Sequence, residues 1–363
     1  MLLFILMLLA VYFGWLIYEK RMNDLARASF RHVIYVNGIR GKTGVCRLTD
    51  AHLRKAGYRV FTKTTGSLPF YIDTDGNEHK IRRHGPANIH EQLKMVRKAW
   101  REKADILILE CMAVQPELQR FTQDRMVRGD MNVITNVRYD HVFEMGESLE
   151  EIAESLANTI PENGVLFTSD RQFYPFFVKK AQEKGTEVVL CEGKTLGIAE
   201  NEAIACAIGE KLGIPASAFS ECWSVYREDF GAHKLYEKEG WCFLNLFSVN
   251  DPMSAKNILG QYVEDMENVT FLYNNRSDRP DRLLLFIRCF FPYVKYKRIL
   301  VMGTAKKLAC RLLRQNGIES VRMVSDWRTV FSEKETELFV GIGNIKGKAS
   351  DIIRYLEEEE QHE

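Results

Sequence analysis

No two cysteines in this 363-residue sequence are spaced C-x-x-C, and its eight cysteines are scattered at Cys46, Cys111, Cys191, Cys206, Cys222, Cys242, Cys289 and Cys310. That argues against a disulfide framework and against a paired-cysteine zinc site. It fits reduced thiols in a cytoplasmic compartment, most of them small core residues. Excess charge is also missing: 50 Lys and Arg stand against 49 Asp and Glu, a formal net charge of +1, so nothing points to bulk nucleic-acid binding. There is no internal repeat, no low-complexity tract and no Gly/Ser-rich linker. The length suits two domains and exceeds what one small core needs.

One apolar run stands out. Residues 2–18 carry no charge and are mostly hydrophobic, near the lower limit for crossing a bilayer. No positive segment precedes the run and no small-x-small cleavage site follows it, so it reads as an uncleaved anchor rather than a removed signal peptide. A buried hydrophobic helix is the alternative. Lys20, Arg21, Arg27 and Arg31 come next. By the positive-inside rule they hold the bulk of the chain on the cytoplasmic side of the cell membrane, behind a single-pass N-terminal anchor.

The run Val33-Ile34-Tyr35-Val36-Asn37-Gly38-Ile39-Arg40-Gly41-Lys42-Thr43-Gly44 then joins a β-branched segment to a glycine-bracketed turn and a helix start. Glycines let successive N–H groups converge on an anion, and the helix start adds its unpaired N–H groups. Lys42 reaches β/γ-phosphate oxygens in such loops, and the Thr43 hydroxyl ligates Mg²⁺. The glycines lie closer together than in G-x-x-x-x-G-K-[ST]. A glycine-rich turn that merely starts a helix is the plain alternative.

Strand-like and helix-like segments alternate downstream. The first series has strands at 33–36, 59–61, 106–109, 133–137, 165–168 and 187–190. Its helices are at 42–56, 88–103, 116–128, 148–159, 173–184 and 201–212. A second series begins near residue 230, with strands at 241–247, 269–273, 298–302 and 337–340. This predicts an α/β fold: a P-loop-containing, mostly parallel sheet flanked by helices, a smaller C-terminal α/β domain and an N-terminal transmembrane helix. The expected division is an anchor at 1–20, a P-loop nucleotide-binding domain at 31–225, a C-terminal α/β domain at 230–356 and an acidic tail at 357–363.

Ligands of parallel sheets bind beyond the carboxyl ends of the strands. Glu110 ends one strand, where a carboxylate holds Mg²⁺. Asn136, Asp140 and His141 follow another, and an Asp-His pair orients an imidazole as a metal ligand. Lys63 and Thr65 follow the second strand, and Arg82, Arg83 and His84 form a basic loop reaching Asn88, a possible helix cap. In the second series Arg276, Arg279 and Arg282 fall within seven residues. They suit carboxylate or phosphate binding. Solvated or internally paired charge is the competing reading for both basic loops.

The short loop N-G-x-R-G-K-T, the strand-end Glu110 and the Asn136…Asp140-His141 block resemble, in that order, the ATP-binding domain of Mur ligases. The blocks at 63–66, 83–89, 110–114 and 341–347, with the N-terminal anchor, resemble the ligase subunit of membrane-bound poly-γ-glutamate (capsule) synthase. The resemblance covers about residues 33–350. It implies ATP and Mg²⁺ as cofactors, with Gly38, Arg40, Gly41, Lys42, Thr43, Gly44 and Asn136 around the triphosphate and Thr43, Glu110 and His141 at the metal. It implies Asn201 at adenine, and Lys234 and Asp251 (after Asn250) as nucleotide contacts from the second domain. Lys42, Glu110 and His141 would be catalytic. Lys63, Thr65, Arg82, Arg83, Asn88, Arg276, Arg279 and Arg282 would face substrate. No lysine occupies residues 142–178, where many Mur ligases carry a carbamylated metal-bridging lysine, and Lys234 stands where related ligases offer arginine.

The implied partners are glutamate, the growing poly-γ-glutamate chain, the membrane and other membrane subunits of a synthase or export complex, with a homo-oligomer possible. The implied reaction activates a glutamyl carboxylate as an acyl phosphate and joins it to the amine of glutamate. Two rivals stay open: a membrane-tethered P-loop ATPase or kinase acting as a switch, and a folylpolyglutamate-type ligase.

Overall fold

The computed structural model describes residues 1–66, 68–83, 85–193, 199–229, 232–238, 240–249, 252–263, 266–331 and 337–360. The chain divides into two compact units, Met1–Asp229 and Phe230–Glu363.

In the first unit, α1 (Leu2–Ser29) leads into β1 (His32–Asn37) and α2 (Lys42–Lys55). β2 (Val60–Thr64), β3 (Phe70–Ile72) and β4 (Glu78–Lys80) precede α3 (His90–Arg101) and β5 (Ile106–Glu110). Next come α4 (Pro116–Phe121), β6 (Met131–Ile134), α5 (Val142–Met145) and α6 (Leu149–Ala157). β7 (Val165–Thr168), α7 (Tyr174–Gln182), β8 (Glu187–Leu190) and α8 (Glu200–Lys211) complete it. The sheet order is β4-β3-β2-β5-β1-β6-β7-β8. All pairings are parallel except β2 with β3 and β3 with β4. β1 and β5 are buried along nearly their whole length, as strands covered by helices on both faces must be. One apolar cluster joins α2 and α8 to one face of the sheet. Another joins α3 and the end of α1, through Ala26 and Phe30, to the other face.

α1 runs eleven residues past the apolar run. Its first seventeen residues are exposed, and its last turns are polar and docked. Asn23 Nδ2 donates to the Met126 carbonyl at 3.0 Å, and Arg27 donates to the Arg128 carbonyl at 2.7 Å and to Asp130 at 2.9 Å.

The second unit holds a six-stranded sheet ordered β13-β12-β11-β14-β10-β9, built from β9 (Lys234–Lys238), β10 (Trp241–Asn245), β11 (Val269–Asn275), β12 (Arg298–Gly303), β13 (Val321–Met323) and β14 (Glu337–Ile342). Only the β9–β10 pairing is antiparallel. Helices Pro252–Tyr262, Pro280–Cys289, Lys306–Gln315 and Lys348–Glu360 accompany the sheet, and apolar clusters lie on both its faces.

The structure corrects several expectations. β3, β4, β9 and β13 were not expected, because strands of three to five residues carry little periodicity. β3 and β4 form a hairpin around Asp75-Gly76, where Gly76 has φ +88°, a turn pair that the sequence does display. The helix over 116–128 is α-helical only to Phe121. It then widens into a π-helical turn, Thr122–Val127, and stops at Arg128, which is left-handed with φ 49°. β2 runs on to Thr64, so Lys63 is a strand residue and not a loop residue.

Candidate active site

β1 and β5 pair with Val36 opposite Glu110, and β1 and β6 pair with Asn37 opposite Ile134. The loop after β1 therefore lies between the ends of β5 and β6, on the carboxyl edge of the sheet. Gly38 has φ +119°, and a Cβ there would overlap Thr135 Oγ1. Gly41, with φ +82°, is the residue from which α2 starts, and a Cβ on it would come within 2.5 Å of Asn201 Oδ1. The same carboxamide lies 3.0 Å from a Cβ on Gly44. Asn201, on the first turn of α8, thus packs on the loop that the glycines shape.

The loop is held from the β6 side. Arg40 N–H donates to Asn136 Oδ1 at 3.0 Å, and the Arg40 carbonyl accepts from Thr135 Oγ1 at 2.5 Å and Asn136 Nδ2 at 3.1 Å. Ile39 N–H donates to the Asn136 carbonyl at 3.1 Å. Lys42 Nζ curls over the loop and donates to the Gly38 carbonyl at 2.6 Å. Arg40 Nη2 lies 3.2 Å from Asp140 Oδ2. His141 is left-handed, φ 52°, with Nε2 4.0 Å from Asp140 Oδ2. The expected Asp140–His141 contact is therefore long, and the closer partner of Asp140 Oδ2 is Arg40.

Glu110 is the junction on the other side. Its Oε2 accepts the Thr43 hydroxyl at 2.9 Å and the Thr65 N–H at 2.6 Å, which ties the ends of β5 and β2 to the first turn of α2. A hydroxyl and a carboxylate are hard oxygen donors of the kind Mg²⁺ takes. No group of three or more His, Cys, Asp or Glu side chains suited to a metal occurs among the described residues. A site with few protein ligands, completed by phosphate oxygens and water, suits Mg²⁺. The residues present fit that ion.

Beside Glu110 lies a buried ionic cluster. Lys63, fully buried on β2, has Nζ 3.0 Å from Glu91 Oε1. Arg83 grips Glu91 with Nε at 2.7 Å and Nη2 at 2.8 Å. Burial pulls the Lys63 ammonium below its ordinary value, while Glu91 and Glu110 oppose that. Burial works to raise Glu91, but the bonds from Arg83 and Lys63 outweigh it and hold the carboxyl below the usual range. Arg82 and Asn88 are exposed, and Asn88 Oδ1 accepts the His90 N–H at 2.9 Å, just ahead of α3. Asn88 also lines a cavity of about 460 Å³ with His90, Met112, Gln115, Leu118 and Glu144.

Residues 36–205 match the Mur ligase middle domain, and residues 232–359 match the poly-gamma-glutamate synthase CapB C-terminal domain. The chain is 30% identical to the capsule biosynthesis protein CapB of Bacillus anthracis, over 95% of this chain and 80% of that protein. It is also 30% identical to PGA synthase CapB of Bacillus subtilis (strain 168), over 94% of each. The chain belongs to the CapB family. Two solved structures have the same fold. E. coli FolC in complex with ADP aligns with TM-score 0.66 and 14% identity, covering 96% of this chain and 98% of that one. A Yersinia pestis bifunctional folylpolyglutamate synthase/dihydrofolate synthase, complexed with AMPPNP and Mn ion, aligns with TM-score 0.71 and 15% identity, covering 95% and 97%.

In this CapB family member the second-unit residues take separate places. Lys234 opens β9, with its ammonium 5.0 Å from the centre of the Tyr236 ring. Asn250 and Asp251 lie outside the described residues, as do His84 and Gly231. Arg276 pairs with Asp278, and Arg279 lies 3.5 Å from Asp281. Arg282 departs from the expectation of a substrate-facing arginine. It is buried and donates to Asn344 Oδ1, while Asn344 Nδ2 donates to the Asn274 carbonyl at 3.1 Å. This bracing holds the loop after β14.

Glu91 and Thr135 were not anticipated. An acid on the first turn of the helix after a basic loop was the available signal for Glu91. Nothing in the sequence marks Thr135, whose part depends on β6 lying beside β1.

Proposed function

We propose that this chain is an ATP-dependent amide ligase, the catalytic subunit of a poly-γ-glutamate synthase. A glutamyl carboxylate attacks the γ-phosphate of ATP, giving an acyl phosphate and ADP. The amine of glutamate then attacks the acyl carbon, and phosphate leaves. The observation that carries this reading is the Glu110 junction, which joins the phosphate loop to the ends of two further strands. It belongs to a fold whose solved neighbours are described with ADP or with AMPPNP and Mn ion.

In the first step two anions meet, so the site needs concentrated positive charge. Gly38, Gly41 and Gly44 let the backbone curl around the triphosphate, and the N–H groups of the first turn of α2 point to it. Lys42 leaves the Gly38 carbonyl to reach the phosphates, and Arg40 adds charge beside it. Thr43 and Glu110 would hold Mg²⁺, and His141, beyond β6, would be a further ligand. When bound, that ion screens phosphate charge and polarises the transferring group. Asn136 fixes the loop, and Asn201, packed on Gly41 and Gly44, would contact adenine. Thr65, Arg82, Arg83 and Asn88 would line the approach for an acidic substrate; Lys63, expected there as well, is fully buried on Glu91 and instead braces the cluster from beneath. Residues 31–225 would bind ATP, and residues 230–356, with Lys234, Asp251, Arg276 and Arg279, would order the substrates. α1 would anchor the chain in the cell membrane with both units in the cytoplasm, next to other membrane subunits that take the polyanionic product.

The test is hydroxylamine trapping. Detergent-solubilised protein is incubated with ATP, Mg²⁺, glutamate and short γ-glutamyl oligomers. Hydroxamate formed in step with ADP is expected. ATP turnover that ignores every carboxylate would overturn the ligase reading in favour of a switch ATPase.

A further inference from the structure

The anchor helix projects from the first unit on the side where the strands end. α1 and α3 run in the same direction: Glu19 pairs with Arg97 at 2.7 Å, and just past the two helices Arg31 N–H donates to the Asp105 carbonyl at 2.8 Å. β1 then turns back, so its carboxyl end points toward the apolar end of α1. Glu19 is the first charged residue after the apolar run. Seventeen helical residues span about 26 Å, against a hydrocarbon core of about 30 Å, so none are left to serve as a spacer and Glu19 falls at the bilayer boundary. Gln92 lies five residues before Arg97 on α3, about 7.5 Å nearer the bilayer. Its Nε2 donates to the Glu110 carbonyl at 2.9 Å. The end of β5, with the phosphate loop beside it, therefore lies on the bilayer side of Glu19, and a tilted anchor keeps this polar edge at the headgroup level and out of the hydrocarbon. The same edge displays two aromatic rings beyond β6, Tyr139 at 53% exposure and Phe143 at 87%. Amphipathic and apolar rings at such a position suit the headgroup layer.

We propose that the carboxyl edge of the first sheet faces the bilayer, and that Tyr139 and Phe143 enter its headgroup layer. The partner is the lipid surface itself, and the polyanion is made against the membrane instead of in bulk cytoplasm. This rests on the anchor reading of α1 and goes beyond it by fixing which face of the enzyme the lipid meets.

The test uses the full chain with Cys242→Ser and Cys289→Ser, the two cysteines that are not buried. It is reconstituted in phosphatidylcholine–phosphatidylglycerol vesicles with or without brominated acyl chains. A bimane label is placed at Phe143→Cys, at Tyr139→Cys as an independent second site, or at Glu162→Cys, which is exposed ahead of β7 on the opposite edge. Brominated lipid is expected to remove fluorescence at Phe143→Cys and Tyr139→Cys and to leave Glu162→Cys unchanged. Equal quenching at both edges, no quenching at either, or quenching only at Glu162→Cys overturns the orientation. Protein that fails to float with the vesicles overturns the anchor and this inference together, and hydroxamate formation in the same sample shows whether the ligase reading survives.

Discussion

The Thr43 hydroxyl donates to Glu110 Oε2 at 2.9 Å, and the Thr65 N–H reaches the same oxygen at 2.6 Å. One carboxylate thus aligns three segments, and under the proposed function it would also supply the charge for Mg²⁺. Glu110→Gln keeps an acceptor for Thr43 and Thr65 but removes the charge. It should weaken apparent Mg²⁺ affinity by about 10–100-fold, the range seen when groups around a metal are altered, with little change in melting temperature. Glu110→Ala should lose both the metal dependence and part of the stability. A Mg²⁺ titration of ADP release, run beside thermal unfolding, separates the two effects. Unchanged Mg²⁺ dependence in Glu110→Gln contradicts the assignment.

Gly38→Ala should be far more damaging than Gly57→Ala. Both glycines have positive φ, so both substitutions carry backbone strain of about 1 kcal/mol. At Gly57 nothing lies within 4 Å of the new Cβ, whereas at Gly38 it overlaps Thr135. Thr135 also holds the Arg40 carbonyl, so relieving the clash displaces the loop. Gly57→Ala should bind ATP normally with a slightly lower melting point. Gly38→Ala should lose ATP binding by calorimetry even where it folds.

How much of this was legible depended on whether partners are close in the chain. Gly38 to Gly44 form one contiguous signal, and Glu110 was readable because an apolar run ends at it. The Glu91 cluster was not readable. Its two cations arrive from β2 and from the loop before α3, and only the extension of β2 to Thr64 turns Lys63 inward. Asn201 was placed by family likeness, and its packing on Gly41 depends on α8 returning beside α2. The arginine loop shows the reverse case. Composition made three arginines look equivalent, and burial separates Arg282 from the other two.

The Glu91 cluster also sets a pH dependence. Its folded pKa is depressed, so its stabilisation is complete above the unfolded value of about 4.3 and is lost as pH falls through the lower folded value. Glu91→Gln leaves the Lys63 ammonium buried without its carboxylate, which at neutral pH should cost about 3–5 kcal/mol. The difference between wild type and Glu91→Gln in urea unfolding should shrink as the pH is lowered below about 4.3. A difference that stays constant into acid would mean that Glu91 contributes by packing and not by charge.

Arg276 and Arg282 share a segment and should fail differently. Arg276 pairs with exposed Asp278, so Arg276→Ala should change stability by no more than about 1 kcal/mol. Arg282 is buried and holds Asn344, which in turn holds Asn274. Arg282→Ala leaves a buried acceptor on Asn344 without its charged donor and should cost about 1.5–3 kcal/mol. Arg282→Lys keeps the charge but not the planar fork and should fall between. Urea midpoints give the stability order, and KM for a γ-glutamyl oligomer gives the functional one. A raised KM with an unmoved midpoint is expected for Arg276→Ala, because its guanidinium can exchange Asp278 for a substrate carboxylate. Arg282→Ala should lower the midpoint first, and any loss of activity should recover where a stabilising osmolyte restores the fold.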